Sequence, residues 1–283
     1  MRLPPPPARP RQPVVALSTR TNLVGLSHIC RLFLVPVRAV QLVVSAHWEE
    51  DKPTVMVGEK TELLFDYYGF PADTYRYQYP APGSPAVAQR VQQLLASAGL
   101  PCGTESKRGL DHGAFVPLIP AFPDASIPVL QLSLVKGLDP SLHNTIGIAL
   151  RPLRDEGVLI LGSGMSFHNM GAFMKSLGGR TDPSTAAKSL EFDAHLTDVC
   201  TNAAHCRADA ECPSSASVRA AGALCVRQKM LTEWRRFPHA EFCHPREEHL
   251  APLFVCAGAA GTNAGEKVFS GTGSIAVSSY RFG

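Results

Sequence analysis

Three short apolar runs constrain the fold of this chain more than any other feature of its sequence. They occupy residues 41–45, 127–134 and 157–164, and they are rich in Val, Ile and Leu. Nearly continuous apolar runs of this length are typical of strands buried on both faces of a sheet. Residues 141–156 have helical character, although Pro152 can kink or shorten that helix. The strand, helix, strand order predicts a βαβ unit within a single α/β domain, whose central mixed or parallel sheet is covered by helices.

Composition excludes several classes of protein. The chain has 283 residues, of which 45% are hydrophobic and 18% charged, as in ordinary globular domains. The net charge of +3 is too small to indicate a nucleic-acid partner. The strongest apolar stretch, residues 29–46, is interrupted by Arg31, Arg38 and Gln41, so no membrane span is predicted. Nothing in the sequence specifies an oligomeric state.

The first 40 residues differ in character from the rest. Residues 1–13 are dominated by Pro and Arg, which predicts an irregular or polyproline-type tail. Arginines recur and no acidic residue precedes Glu49, a pattern also found in organelle transit peptides. The many prolines argue against such a peptide, so a cytoplasmic location is favoured. We predict an atypical segment over 1–40 and one domain over 41–283.

The eight cysteines of the chain are interpreted as reduced thiols. An even number permits disulfides, but a chain of this length can bury a full core without them and carries no convincing signal peptide. Four of the cysteines lie within residues 197–228, a segment rich in Ala, Ser and Cys that we predict to be a surface insertion. Their spacing lacks the close pairs of a structural zinc site, which disfavours a zinc knot there.

Secondary structure is also predicted beyond the three apolar runs. Residues 84–99 and 229–237 have helical spacing, Pro245 is expected to open a helix, and residues 274–281 alternate like a final strand. Residues 65–83 are rich in Tyr, Pro and Gly and predict an ordered aromatic loop. This loop either forms a wall of a pocket for a flat ligand or packs its rings on the core.

Four histidines lie in short, unusual contexts next to strand-like or loop-forming runs. They are His47 in Ser-Ala-His-Trp, His112 in Asp-His-Gly-Ala-Phe, His168 in Phe-His-Asn and His249 in Glu-Glu-His-Leu. Neutral imidazole is a common ligand of transition metals and an acid or base near neutral pH. The four contexts therefore predict a metal site with its own proton shuttle, whereas the alternative for each is a packed core or loop-capping histidine. His143 and His239 are expected at the surface or at helix ends.

Seven segments in one order carry a resemblance to a known family. They are Val-Val-Ser-Ala-His-Trp-Glu (43–49), Asp-Tyr-Tyr-Gly-Phe-Pro (66–71), Tyr-Pro-Ala-Pro-Gly-Ser-Pro (79–85), Asp-His-Gly-Ala-Phe-Val-Pro-Leu (111–118), Pro-Asp-Ala-Ser-Ile-Pro-Val-Leu-Gln-Leu-Ser (123–133), Gly-Ser-Gly-Met-Ser-Phe-His-Asn (162–169) and His-Pro-Arg-Glu-Glu-His-Leu-Ala-Pro-Leu (244–253). Together they resemble the extradiol ring-opening dioxygenases of the LigB type, most closely the 4,5-DOPA dioxygenase branch. The resemblance covers about residues 43–283.

The resemblance implies roles for the four histidines. His47 and His249 would be metal ligands, His168 a ligand or catalytic acid/base, and His112 a group that binds substrate or donates a proton. His244, five residues from His249, is the rival for the second ligand position. The implied cofactor is Fe(II) with open coordination positions for a DOPA-like catechol and O2. Zn(II) would fit the same ligands but has no redox role.

One part of the family pattern is missing from this sequence. Members open with a strand that ends in a metal-binding histidine followed by glycines and a proline. The upstream histidine here is His28, in Leu-Ser-His-Ile-Cys, and no Gly-Gly-Pro follows it. His28 is therefore the candidate for this ligand. The alternative is a catalytically impaired homologue that uses the same fold for binding.

Overall fold

The computed structural model describes residues 12–18, 40–177, 182–206, 225–271 and 274–283. The strands in these ranges form a single eight-stranded mixed sheet. They are β1 Val14–Ser18, β2 Gln41–Glu50, β3 Thr54–Met56, β4 Gly103–Glu105, β5 Val129–Val135, β6 Leu159–Gly164, β7 Gly265–Ser270 and β8 Ser278–Phe282. The order across the sheet is β4-β3-β5-β2-β6-β1-β8-β7.

The helices of the described residues cover this sheet on both faces. They are α1 Pro85–Ser97, α2 His112–Ala121, α3 Pro140–Leu150, α4 Met170–Leu177, α5 Pro183–Thr201, α6 Val226–Thr232, α7 Ala240–Cys243 and α8 Ala251–Ala260. Short 3-10 helices add Ala72–Arg76, Arg151–Arg154, Ala203–Cys206 and Trp234–Arg236. The predicted α/β fold with a covered mixed sheet is confirmed.

The four central strands, β5, β2, β6 and β1, are mutually parallel. Their carboxyl ends therefore lie at one edge of the sheet, which is where α/β proteins commonly build their sites. Every residue of β5 and β6 is buried, in agreement with the apolar runs that predicted them. The predicted βαβ unit is β5-α3-β6, and β2 lies between its two strands.

The two faces of β6 meet different helices. Gly162 faces α8, where Cys256 is among its nearest neighbours, whereas the Ser163 hydroxyl donates to the Gly113 carbonyl of α2 at 2.5 Å. Successive residues of a strand point to opposite faces, so α8 and α2 cover opposite faces of the sheet. Helix α3 packs on α8. It ends at Leu150 and is followed by a 3-10 turn that contains Pro152. The helix predicted over 141–156 is therefore shortened at this proline.

Residues 14–18 form a strand of the domain. The predicted domain, which began at residue 41, did not include this strand. Strand β1 pairs in parallel with β6 and antiparallel with β8, so it lies inside the sheet. Val14 and Val15 are completely buried, which explains why this short Val-rich run is a strand despite the neighbouring Pro-rich tail. Residues 1–11 and His28 lie outside the described residues.

The structure describes both ends of the segment predicted as a surface insertion, 197–228. Residues 197–201 complete α5, and Cys225 precedes α6. Cys200, Cys206 and Cys225 are buried, because small Ala and Cys side chains suit the inner faces of these helices. The described cysteines are free thiols. Residues 207–224, with Cys212, lie outside the described part.

The helix expected to begin at Pro245 begins instead at Ala251. Residues 244–250 form an irregular loop, and Pro252 occupies the first turn of α8, a position that proline tolerates well. The loop can therefore aim Glu248 and His249 in directions that a regular helix would not permit. Among the helices of the described residues, we find none with the length and apolar character of a transmembrane segment.

Candidate active site

The four predicted histidines meet at the carboxyl edge of the parallel strands. The ring centres of His47 and His112 are 3.9 Å apart, and those of His47 and His249 are 5.0 Å apart. His168 stacks on His249 with ring centres at 3.5 Å. These rings form a continuous row, His112, His47, His249, His168, although the residues come from four separate parts of the chain.

A bulge in β2 presents His47. Val44 pairs with Leu132 of β5, and Glu49 pairs with Leu134. Between these two pairs, β2 therefore has more residues than β5. Such a bulge bends a strand and redirects its side chains. Ser45 remains in register with Ser163 of β6, and His47 follows it beyond the regular pairing.

The start of α2 presents His112. Asp111 caps the helix by accepting from the Ala114 amide, and its buried carboxylate also accepts from Ser45 Oγ at 2.7 Å and from Gln131 Nε2 at 2.8 Å. This network joins α2 to β2 and β5. Gly113 then allows the helix to approach β2, because a Cβ there would lie 2.8 Å from the His47 ring.

The end of β6 and the loop before α8 present His168 and His249. The Met165 amide donates to the His249 carbonyl at 3.0 Å, and the His168 amide donates to the Cys243 carbonyl at 2.9 Å. A Cβ on Gly164 would overlap the His249 carbonyl, so the glycine permits this close approach. Gly162 and Gly164 are thus part of β6, and their lack of a side chain admits a neighbouring backbone.

Two groups of candidate metal ligands occur among the described residues. Within each group one ligand atom per residue lies within 4.8 Å of the others: His47, Asp66 and His112 form the first group, and His168, Glu248 and His249 form the second. The predicted ligands draw on both groups.

Asp66 and Glu248 were not singled out from the sequence. Both lie inside segments that carry the family resemblance. Their contacts with His112 and His168 could not be predicted from the spacing of residues along the chain. Asp66 is 46 residues from His112 in sequence.

Burial keeps the central imidazoles in their neutral form. Desolvation, reinforced by the adjacent His112, lowers the pKa of His47 to about 4. Desolvation, with His168 nearby, also lowers the pKa of His249. The His249 Nδ1 atom is buried and has no hydrogen-bond partner among the described residues. A neutral imidazole with an unpaired nitrogen is the form that binds a metal, so these residues fit such an ion.

The two carboxylates of the cluster remain ionised. Burial raises the pKa of Asp66, but hydrogen bonds from His112 outweigh it and hold the pKa below its usual value. Glu248 follows the same pattern, with the hydrogen bond from His168 outweighing burial. At the rim, Arg246 binds both carboxylate oxygens of Glu49 at 2.6 Å and lies 3.6 Å from Glu248.

The aromatic loop borders the histidine cluster on the side of His112. The Tyr67 ring packs edge-on to His112 at 5.5 Å between centres, and Phe65 packs on the buried Phe115 at 5.5 Å. Tyr68, 92% exposed, projects outward. One ring of the loop therefore packs toward the core, as one of the two alternatives predicted, and another contacts His112. A pocket wall for a flat ligand stays a prediction.

The other histidines of the described residues lie away from this cluster or contact it only at its edge. His244 is buried and its Nε2 contacts the Ser166 carbonyl at 3.0 Å, whereas His249 contacts His47 and His168 directly. His239 is exposed next to α7, as expected. His143, expected at the surface or at a helix end, lies in the first turn of α3 and is fully buried, because its two ring nitrogens bond the Asp139 carbonyl and the Val135 amide.

Fold and cluster together define an α/β protein with a histidine-rich candidate metal site at the carboxyl edge of its parallel strands. Residues 30–283 match the model of the LigB family, described as the catalytic LigB subunit of aromatic ring-opening dioxygenase. The chain therefore belongs to the LigB family, as the resemblance predicted.

Named relatives place the chain near one branch of this family. It is 38% identical to the 4,5-DOPA dioxygenase extradiol of Beta vulgaris over 85% of this chain and 81% of that protein. It is 35% identical to the Mirabilis jalapa protein of the same name over 78% of this chain and 73% of the relative. The crystal structure of an uncharacterized protein from Escherichia coli K12 superposes with a TM-score of 0.71 at 28% identity, covering 96% of this chain and 100% of that one.

Proposed function

We propose that this protein is a metal-dependent extradiol dioxygenase that opens the ring of a DOPA-like catechol with O2. The observation that carries the proposal is the row of four imidazoles at one sheet edge, in a chain whose relatives are named 4,5-DOPA dioxygenase extradiol. The aromatic loop beside His112 supports a flat aromatic substrate.

His47 and His249 are the proposed metal ligands, with His168 as a further ligand or as an acid/base. Fe(II) is the proposed ion, because an iron with open positions supplies redox chemistry to both a catechol and O2, which Zn(II) does not. His168 and His112 flank the two central rings. They are placed to accept a hydroxyl proton of the substrate and to return protons as the ring opens.

The first strand favours a second candidate function. The structure places β1 beside β6, and the residue that follows β1 in sequence is Thr19 where the family pattern has a histidine. His28, nine residues further on, lies outside the described residues and stays a proposed ligand. A chain that lacks one metal ligand would bind its ion weakly. The alternative is therefore a catalytically impaired homologue that binds a ligand in the same cleft.

The two functions separate in one experiment. The full chain is loaded with Fe(II) without oxygen, mixed with DOPA or simpler catechols in aerated buffer, and followed with an oxygen electrode and by absorbance. We expect O2 uptake, a yellow ring-opened product and about one bound iron per chain. A folded protein that binds no metal and consumes no O2 with any catechol would exclude the dioxygenase and favour the binding protein.

The matched variants are His47→Ala and His239→Ala. We expect His47→Ala to lose bound iron and at least about 100-fold in activity, in line with the loss of a metal ligand or its support. His239 is exposed and bonds Glu191 at 2.9 Å, away from the cluster. His239→Ala should therefore retain the bound iron and the activity. Equal metal content in the two variants would exclude His47 as a ligand.

A further inference from the structure

We infer that Glu248 and Asp66 are positioning residues that hold His168 and His112 in a single tautomer, with the hydrogen on Nδ1 and an unprotonated Nε2 that faces the site's metal or substrate. This inference rests on the proposed function for its chemical meaning. Its structural content, the tautomer of two rings, is independent of activity.

Glu248 contacts His168 directly. Its Oε1 lies 2.8 Å from His168 Nδ1, and the two side chains are only 13% and 18% exposed. Arg246 Nη1 lies 3.6 Å from Glu248 Oε2, an ion pair without a hydrogen bond, and Arg246 also binds both carboxylate oxygens of Glu49 in β2. The charge of Arg246 therefore lies between Glu248 and the strand that carries His47.

Asp66 makes the corresponding contact on the opposite side of the cluster. Its Oδ1 accepts from the His112 amide at 3.0 Å and lies 2.7 Å from His112 Nδ1. One oxygen thus fixes both the backbone and the ring at the start of α2. Asp66 comes from the aromatic loop, so the loop that borders the site also sets the orientation of this histidine.

The chemistry of a carboxylate determines the tautomer. An ionised carboxylate has no hydrogen to donate, so the hydrogen of each contact belongs to histidine Nδ1. In a neutral ring, Nε2 then has a free lone pair, ready to bind a metal or to take a proton from a catechol hydroxyl. The central His249 differs, because its Nδ1 has no such partner among the described residues. The two outer rings of the row are therefore oriented by carboxylates, whereas His249 is not.

Long-range proton–nitrogen NMR of the metal-free full chain, labelled with 15N-histidine, tests this inference. His168→Gln and His112→Gln assign the two spin systems. We expect both rings of the wild-type protein at pH 7.5 to show the Nδ1–H pattern. Glu248→Ala should move His168 toward the Nε2–H pattern and leave His112 unchanged, and Asp66→Ala should move His112 and leave His168 unchanged.

Glu247→Ala is the matched control, because Glu247 lies in the same loop but binds Arg235 at 3.0 Å. Should Glu248→Ala fail to fold, Glu248→Leu replaces it, since its side chain is of similar size and accepts no hydrogen bond from Nδ1. An Nε2–H pattern in the wild-type protein, or a His168 pattern that Glu248→Ala or Glu248→Leu leaves unchanged, would overturn the inference.

Kinetics separate this inference from the proposed function. In an active enzyme, Glu248→Ala should lower kcat by about 10- to 100-fold, the usual effect of losing a partner that orients a functional histidine, with a smaller change in KM. Glu247→Ala should keep the wild-type kcat. If the wild-type chain consumes no O2, the proposed function fails, while the tautomers of His168 and His112 are still decided by NMR.

Discussion

The histidines of this chain differ because of what touches their ring nitrogens. His112 and His168 each face a carboxylate, at 2.7 and 2.8 Å, whereas the His249 Nδ1 is buried without a partner. His143 has both nitrogens occupied by backbone groups, at 2.7 Å to the Asp139 carbonyl and 3.1 Å to the Val135 amide. A residue type that looks uniform in the sequence therefore serves in three different environments.

The burial of His143 predicts a pH dependence of stability. Desolvation lowers its pKa below the ordinary 6.5, so the folded state binds fewer protons than the unfolded state. The contribution of the neutral His143 to the free energy of unfolding is then complete above pH 6.5. It is lost as the pH falls below 6.5, by at most about 1.4 kcal/mol per pH unit. In urea unfolding, the stability advantage of the wild-type protein over His143→Gln should shrink between pH 7.5 and pH 5.

The control for this measurement is His239→Gln. Its side chain is partly exposed beside Glu191, and its replacement should leave the pH dependence of the wild-type protein in place. Parallel stability curves for the wild-type protein and His143→Gln would contradict the prediction, because they would mean that His143 titrates equally in the folded and unfolded states.

At the scale of elements, the site depends on close contact between β6 and the loop that precedes α8. The carbonyl of His249 accepts from the Met165 amide at 3.0 Å, and Gly164 offers no side chain to keep the two backbones apart. Because that loop carries both Glu248 and His249, the spacing between strand and loop sets the position of these two residues relative to the rest of the cluster.

Gly164→Ala should therefore disturb the site as well as stability. Its Cβ would overlap the His249 carbonyl, a backbone group that cannot rotate away. We expect a loss of about 1–3 kcal/mol in urea unfolding, typical of overpacking, together with weaker iron binding.

Gly171→Ala is the matched control for Gly164→Ala. Gly171 lies in α4, and a Cβ there would come no closer than 3.5 Å to Asn169. It should be neutral or slightly stabilising, because Ala favours helix over Gly. If Gly164→Ala keeps both stability and iron binding, the close contact is not required.

At the scale of the whole molecule, Arg154 joins parts of the chain that are far apart in sequence. It is fully buried, and its guanidinium donates to the carbonyls of Gln12 at 2.8 Å, Ala259 at 3.2 Å and Phe282 at 3.3 Å. These acceptors lie just before β1, in α8 and in β8. The guanidinium thus links the neighbouring strands β1 and β8 to the helix that supports the site.

Arg154→Ala should destabilise the entire domain. It removes the buried guanidinium with its hydrogen bonds and leaves the carbonyls without this donor. We expect the free energy of unfolding to fall by about 3 kcal/mol or more. Equilibrium urea unfolding measures this change. Arg236→Ala is the control, because Arg236 is 78% exposed and should change stability by less than about 0.5 kcal/mol. Similar midpoints for the two variants would contradict a central role for Arg154.

Much of the fold was readable from the sequence because its signals are local. The apolar runs at 127–134 and 157–164 became β5 and β6, and residues 84–99 became α1, since strand and helix periodicity arise within a few residues. Strand β1 was missed because five residues beside a Pro-rich tail carry little local signal. Its burial comes from pairing with β6 and β8, more than a hundred residues away.

The sequence by itself determined the α/β class, the LigB-type resemblance and the four histidines of the cluster, because these depend on local patterns and on motifs of consecutive residues. The tertiary structure alone decided the order of the rings, the carboxylates that contact them and the burial of His143. Asp66 meets His112 across 46 residues, and Arg246 meets Glu49 across 197. Contacts at such separations are set by how the sheet and its loops pack, so the spacing of residues along the chain does not reveal them.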